Sequence, residues 1–265
     1  MIAYFKDRTK KSIPHTVFLC VTAAVCLSLA VYFAVRGAFR NMVLAIFCAA
    51  LIFPGLTFAE YILRMTFAPV FTLLITLLFM GGLVLGPGLD FYFRFPHWDD
   101  ILHTASGLIF ASLGYTFADG IVSRDLRYRK FLCICVGVSF SLAIALLWEM
   151  FEYAGTTFLG MDMQEDTIIY NIRSFLLAGS HNDIVEINGI TQTIIYYGDG
   201  QQYVIDGYLD IGLYDTLNDM LVCLIGALAL PVLIVIGSLF GKKPEKFIVP
   251  QWDDRFAQAN AKAKA

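Results

Sequence analysis

Residues 17–35 read VFLCVTAAVCLSLAVYFAV, nineteen positions with no charge and no proline. A run of about 20 apolar residues is what an α-helix needs to cross the hydrocarbon of a bilayer, and it is too long for a core strand. Lys6, Arg8, Lys10 and Lys11 precede it, an arrangement that cleaved signal peptides share with retained anchors. The run is long for a signal-peptide core and no A-x-A cleavage site follows. It therefore reads as a retained signal-anchor helix.

Working outward, runs of the same kind recur, and spans are expected near residues 16–36, 41–63, 68–86, 100–119, 131–153 and 216–240. Pro54-Gly55 should kink or break the second, and Gly86-Pro87-Gly88 should stop the third. Only 15% of the 265 residues are charged and 58% are hydrophobic, too little charge to cover the surface of a soluble domain. The net charge is -3, and no basic patch is interleaved with aromatics, which argues against nucleic acid as a partner. The six cysteines all lie in apolar runs without a CxxC pair. They read as small membrane-embedded residues rather than a disulfide framework or zinc knuckle. The expected fold is an all-α polytopic membrane protein with about six transmembrane helices and a small extracytoplasmic β-hairpin insertion.

Lys and Arg set the orientation, because they concentrate on the cytoplasmic side of short loops. With residues 1–15 cytoplasmic, six spans place fifteen Lys and Arg on that side, including the tail 241–265. They leave only Arg36, Arg40, Arg94 and Arg173 on the other. Gaining or losing one span would spoil the asymmetry. The transmembrane domain then covers 16–240, with an acidic extracytoplasmic insertion at about 154–214. There IIYNIRSFLLAG reads as a short amphipathic helix. Asn188-Gly189 and Gly198-Asp199-Gly200 sit between β-branched runs and signal a hairpin or a three-stranded meander. The end of the chain, AQANAKAKA, reads as disordered or weakly helical. FYFRFPHWDD, between spans three and four, is too polar to cross and rich in aromatics, which suits an interface. Gly107, Ala111 and Gly114 have the spacing of a close helix–helix contact.

Ionisable residues gather at three span ends: Asp99, Asp100 and His103 at the start of span four, Glu149 and Glu152 at the end of span five, Asp215 and Asp219 at the start of span six. The orientation puts all three ends on the outer side. Counting 20-residue spans brings the acids to about one level. Asp99 and His103 are i,i+4, Glu149 and Glu152 i,i+3, Asp215 and Asp219 i,i+4, so each pair shares a helix face. Carboxylates on one face repel and require a cation, a proton or water. Helix capping is an alternative for Asp99 and Asp215. It does not serve Glu149 and Glu152, which a C-terminal dipole disfavours. Read together, Asp99, Asp100, His103, Glu149, Glu152, Asp215 and Asp219 form a candidate site for a divalent cation, Mg²⁺, Mn²⁺, Ca²⁺ or iron. The same groups suit proton or cation passage. Glu60 and Arg64, also i,i+4, read as a structural ion pair.

Three blocks carry a family resemblance: HWDDILHTASG, LLWEMFEY, and DIGLYDTLNDM followed by Gly226-Ala227. In type and order they resemble the YjdF-like bacterial membrane proteins and, more distantly, the VanZ-like group, over roughly residues 95–230. The resemblance implies a multi-pass bacterial plasma-membrane protein and supplies no reaction. The long insertion before Asp215 and Val222-Cys223 after the last Asp depart from the VanZ-like pattern. Three functions follow as expectations. The first is a cation-dependent site for an outer-leaflet lipid or envelope precursor, with membrane lipid as partner. The second is a cation or small-solute transporter, and the third a non-catalytic binding or sensing protein. No catalytic residue and no protein partner is named by the sequence.

Overall fold

The computed structural model describes residues 2–253; the tail 257–265, expected to be disordered or weakly helical, lies outside them. Among the described residues six helices are long and apolar enough to cross a membrane. The helices are α1 (Ile2–Lys11), α2 (Ile13–Val35), α3 (Phe39–Leu63), α4 (Pro69–Gly88), α5 (Phe91–Arg94), α6 (Trp98–Ile121), α7 (Arg129–Leu159), α8 (Phe175–Ala178), α9 (Leu213–Leu239) and α10 (Glu245–Ile248). The spans are α2, α3, α4, α6, α7 and α9. The kink expected at Pro54 is present, with Phe53 leaving helical backbone at φ −142°, ψ 117°. The chain divides into two compact units, residues 1–145 with 220–265, and residues 146–219.

In the first unit, α2 buries Leu19, Ala23, Cys26, Ala30 and Phe33. Their alternating spacing of four and three is the 3.5-residue period that lets two helices pack along a seam. Across that seam α3 buries Ala45, Cys48 and Ala49 in the same cluster. Val17, Val21, Val25 and Val31 stay exposed on α2. In lipid, burial of apolar area does not hold helices together; close packing of small residues does. The Cys26 and Cys48 sulfurs lie 3.8 Å apart, and all six cysteines are free thiols, as expected. The small residues of α6 make the contact their spacing implied. A Cβ on Gly107 would strike the backbone of Cys223, and one on Gly226 the carbonyl of Thr104. One on Gly114 would strike Phe140. Ser141 adds a bond from its hydroxyl to the Gly107 carbonyl at 3.0 Å.

Glu60 does not pair with Arg64. Arg64 follows the last turn of α3 with left-handed backbone, φ 57°, which takes it off the i,i+4 helical position. The Glu60 carboxylate is instead bridged by Arg8 through Nε and Nη2, both at 2.9 Å, and accepts the Phe67 N–H at 2.7 Å. The loop after α3 is clasped from the far end of the described chain. Strand β1 (Met65–Thr66) pairs with β8 (Gln251–Trp252), and the Asp253 N–H donates to the Arg64 carbonyl. Thr116 donates to the Pro250 carbonyl at 2.8 Å, and the Trp252 indole to the Thr116 carbonyl at 3.1 Å.

The second unit holds the end of α7, the start of α9 and three two-stranded antiparallel sheets. Strand β2 (Asp166–Ile169) pairs with β7 (Tyr208–Ile211), β3 (Asn171–Ser174) with β4 (Val185–Asn188), and β5 (Thr193–Tyr197) with β6 (Gln201–Ile205). The turn at Gly198-Asp199-Gly200 makes the expected hairpin. Two readings of this segment are corrected. IIYNIRSFLLAG is half strand, and its helix is confined to Phe175–Ala178. Asn188-Gly189 does not close a hairpin with the strand after it, because β4 pairs back with β3.

Candidate functional site

Helix α7 runs to Leu159, beyond the expected end near residue 153. Glu149 and Glu152 therefore sit inside a helix, not at its C-terminus, and the unfavourable end-of-helix dipole does not apply to them. Beyond α7 the chain turns back at Gly160, which has φ 63°. The Thr156 hydroxyl accepts the N–H groups of Met163 and Gln164 at 3.2 and 3.4 Å. The Gln164 amide donates to the Thr216 hydroxyl at 3.0 Å, and the Glu165 N–H to Asp215 Oδ2 at 2.9 Å. Residues 161–165 thus tie the last turns of α7 to the first turns of α9. Asp215 takes part in that tie. The N–H of Tyr214 is capped by Asp210 at 2.8 Å, so Asp210 does the capping work that Asp215 was expected to do.

This tie brings Glu149, Glu152 and Asp219 together. Each offers a carboxylate oxygen, and the three oxygens lie within 4.8 Å of one another. All three side chains are buried, at 4%, 8% and 1% exposure. The Trp148 indole donates to Glu152 Oε1 at 2.7 Å, which fixes one face of that carboxylate. Two ionised groups at this separation repel by roughly 3 kcal/mol even at an effective dielectric near 20. Three such pairs approach the whole stability of a typical domain, about 5–15 kcal/mol. Shared protons or a cation among the oxygens relieve that repulsion. Oxygens bound to Mg²⁺ or Ca²⁺ lie about 2.1–2.5 Å from the ion, so opposite ligands are at most about 5 Å apart. The observed spacing fits within that limit.

The remaining expected site residues lie in the first unit. His103 is buried, and its Nε2 is 3.5 Å from Asp99 Oδ2. Asp100 turns to His97, whose Nδ1 is 2.8 Å from Asp100 Oδ2. Asp99 is not an N-cap: the residue before α6 is His97, and it makes no side-chain cap. Sequence reasoning missed Thr156, Gln164 and Thr216, which set the approach of α7 to α9; Gly155 and Gly160 were the available signal for a folded-back turn.

Outside the spans, the insertion is acidic in a structured way. Burial, together with the charges of Asp162 and Asp210, pushes the Asp166 carboxyl up. Hydrogen bonds from Arg173 and Asn188 hold the Glu186 carboxyl down, with the Arg173 charge adding to them.

No curated protein and no solved structure matches the chain. A family described as a predicted membrane protein, DUF2238, matches residues 15–240. With six spanning helices inside that range, the chain is an integral multi-pass membrane protein and belongs to the DUF2238 family.

Proposed function

We propose that Glu149, Glu152 and Asp219 hold a divalent cation, and that the protein uses this site at the outer boundary of a bacterial plasma membrane. The observation that carries the reading is the convergence of three buried carboxylates from two helices. Carboxylate oxygens suit Mg²⁺, Mn²⁺ and Ca²⁺. Asp99 and His103 form an acid–base couple at the start of α6. The Lys and Arg count supports cytoplasmic termini, and with them an outer-face position for the start of α9. A cation there suits recognition or hydrolysis of an outer-leaflet lipid or envelope precursor, whose phosphates would meet it, with a carboxylate available as base. The likeness of the HWDDILHTASG, LLWEMFEY and DTLNDM blocks to YjdF-like and VanZ-like proteins supports the bacterial setting.

The test is metal content and metal response of the purified protein. Wild-type protein should bind Mn²⁺ stoichiometrically, seen by electron paramagnetic resonance, in competition with Mg²⁺ or Ca²⁺. Glu149→Gln and Asp219→Asn should each weaken binding at least about tenfold, the loss of one charged ligand. Wild-type protein that takes up none of the three ions, and whose unfolding is unmoved by them, would end the proposal.

A further inference from the structure

Helices α4, α6 and α9 border an open lateral slot of about 340 Å³ within the first unit. Its walls are apolar. Leu74 comes from α4, Ala105 and Leu108 from α6, and Gly226 and Ala229 from α9. The slot exists because α6 and α9 meet backbone to backbone at Thr104 and Gly226, and the small residues beside that contact leave the space unfilled. Ile101, at its edge, is exposed, so the slot opens sideways to whatever surrounds the spans. In a membrane protein that surrounding is lipid. Water gains nothing from apolar walls, and an empty slot forfeits the dispersion contacts of its lining.

One end of the slot is different. Asp100 lies there, held by His97 at 2.8 Å. Beside it in sequence, Trp98 packs edge-on against Phe91 at 4.9 Å and donates its indole N–H to the Gly81 carbonyl. Phe91 also packs against Phe95 at 4.8 Å. Aromatic clusters of this kind mark the headgroup level of a bilayer. Arg94, on the same short helix as Phe91, is exposed. The apolar part of the slot therefore lies at acyl-chain depth, and its acidic end lies at headgroup depth, with the exposed Arg94 six residues earlier in the chain.

We infer that this slot is a lipid-binding site that takes one acyl chain of a phospholipid with a primary-ammonium headgroup, such as phosphatidylethanolamine. Asp100 receives the ammonium, and Arg94, on the short helix before α6, would meet the phosphate. A purely anionic headgroup would meet Asp100 unfavourably, and a quaternary one could not donate a hydrogen bond to it. The inference is independent of the cation site, since none of the three converging carboxylates lines the slot.

The experiment is native mass spectrometry of protein released from nanodiscs containing equal phosphatidylethanolamine, phosphatidylglycerol and phosphatidylcholine. Wild-type protein should retain one lipid, with phosphatidylethanolamine enriched about fivefold, the worth of one interfacial ion pair. Asp100→Asn should keep a bound lipid and lose the preference. Ala105→Leu and Ala229→Leu each fill the slot and should abolish retention. Equal retention of the three lipids by wild-type protein would overturn the inference, as would a preference unchanged in Asp100→Asn. Retention that survives both leucine variants would do the same. Should either leucine variant aggregate, the wild-type and Asp100→Asn preferences still decide.

Discussion

Two places in this protein bury carboxylates, and they handle the charge in opposite ways. Glu60, 1% exposed, is met by Nε and Nη2 of the Arg8 guanidinium and by a backbone N–H. The chain supplies its own cation there, and the result is a fixed internal ion pair. Glu149, Glu152 and Asp219 are buried to a similar degree, yet carboxylate meets carboxylate. A shared proton or a cation among the oxygens would relieve that repulsion. A buried acid met by a guanidinium is fixed as folded; converging carboxylates respond to whatever relieves their repulsion.

The contrast can be broken in several ways. The largest effect is expected at the complete pair. Glu60→Ala strands Arg8 as a buried unpaired charge and should cost about 3–5 kcal/mol of stability. Reversible denaturant unfolding in detergent micelles would measure it, and the loss should be the same with and without divalent ions. At the carboxylate group the sign should reverse. Without divalent ions, Glu149→Gln removes repulsion and should stabilise the protein by about 1–3 kcal/mol, while abolishing any stabilisation by added Mn²⁺. If Glu149→Gln instead destabilises the metal-free protein as Glu60→Ala does, the two places are alike and the comparison fails.

The smallest effect belongs to the exposed pair of Arg173 and Glu186, 2.9 Å apart. Its charges are in water, so Arg173→Gln should lower the unfolding midpoint only slightly. It should still raise the Glu186 titration toward the ordinary carboxylate value in carbon-detected NMR. The sign follows from linkage. A carboxyl held down in the folded state contributes stability above its unfolded value and loses it as pH falls through the folded value. Asp166, pushed up, does the reverse: its contribution is present at low pH and disappears as pH rises through its folded value. A midpoint that drops as far as in Glu60→Ala would show that solvated pairs matter as much as buried ones here.

Much of the fold was legible because a spanning helix is a local, long and uniform signal. Each of the six runs was placed within a few residues, apart from the longer end of α7. What the sequence hid was pairing between distant residues. Glu60 has a basic neighbour four residues on, and helical spacing favours it. The left-handed backbone at Arg64 removes that option, and the partner is 52 residues away. Strand β3 looked helical because Ile172, Phe175 and Leu176 have helix-like spacing; its partner β4 lies beyond α8, where no local pattern points. In the candidate site, the residue types were readable and their roles were not. Seven ionisable residues looked equivalent, yet Asp100 is taken by His97 and Asp215 by the Glu165 N–H. Only backbone geometry separates these from Glu149, Glu152 and Asp219.

The clasp formed by residues 250–253 has a practical bearing on how this protein can be handled. Those four positions reach back to Thr116 and to the loop after Leu63, and that loop carries the Phe67 N–H on which Glu60 rests. A reporter fused directly after the final span, near Phe240, would delete the clasp along with the tail. Its readout of sidedness would then come from a chain with a loosened second span. Fusion points for mapping orientation belong after residue 253.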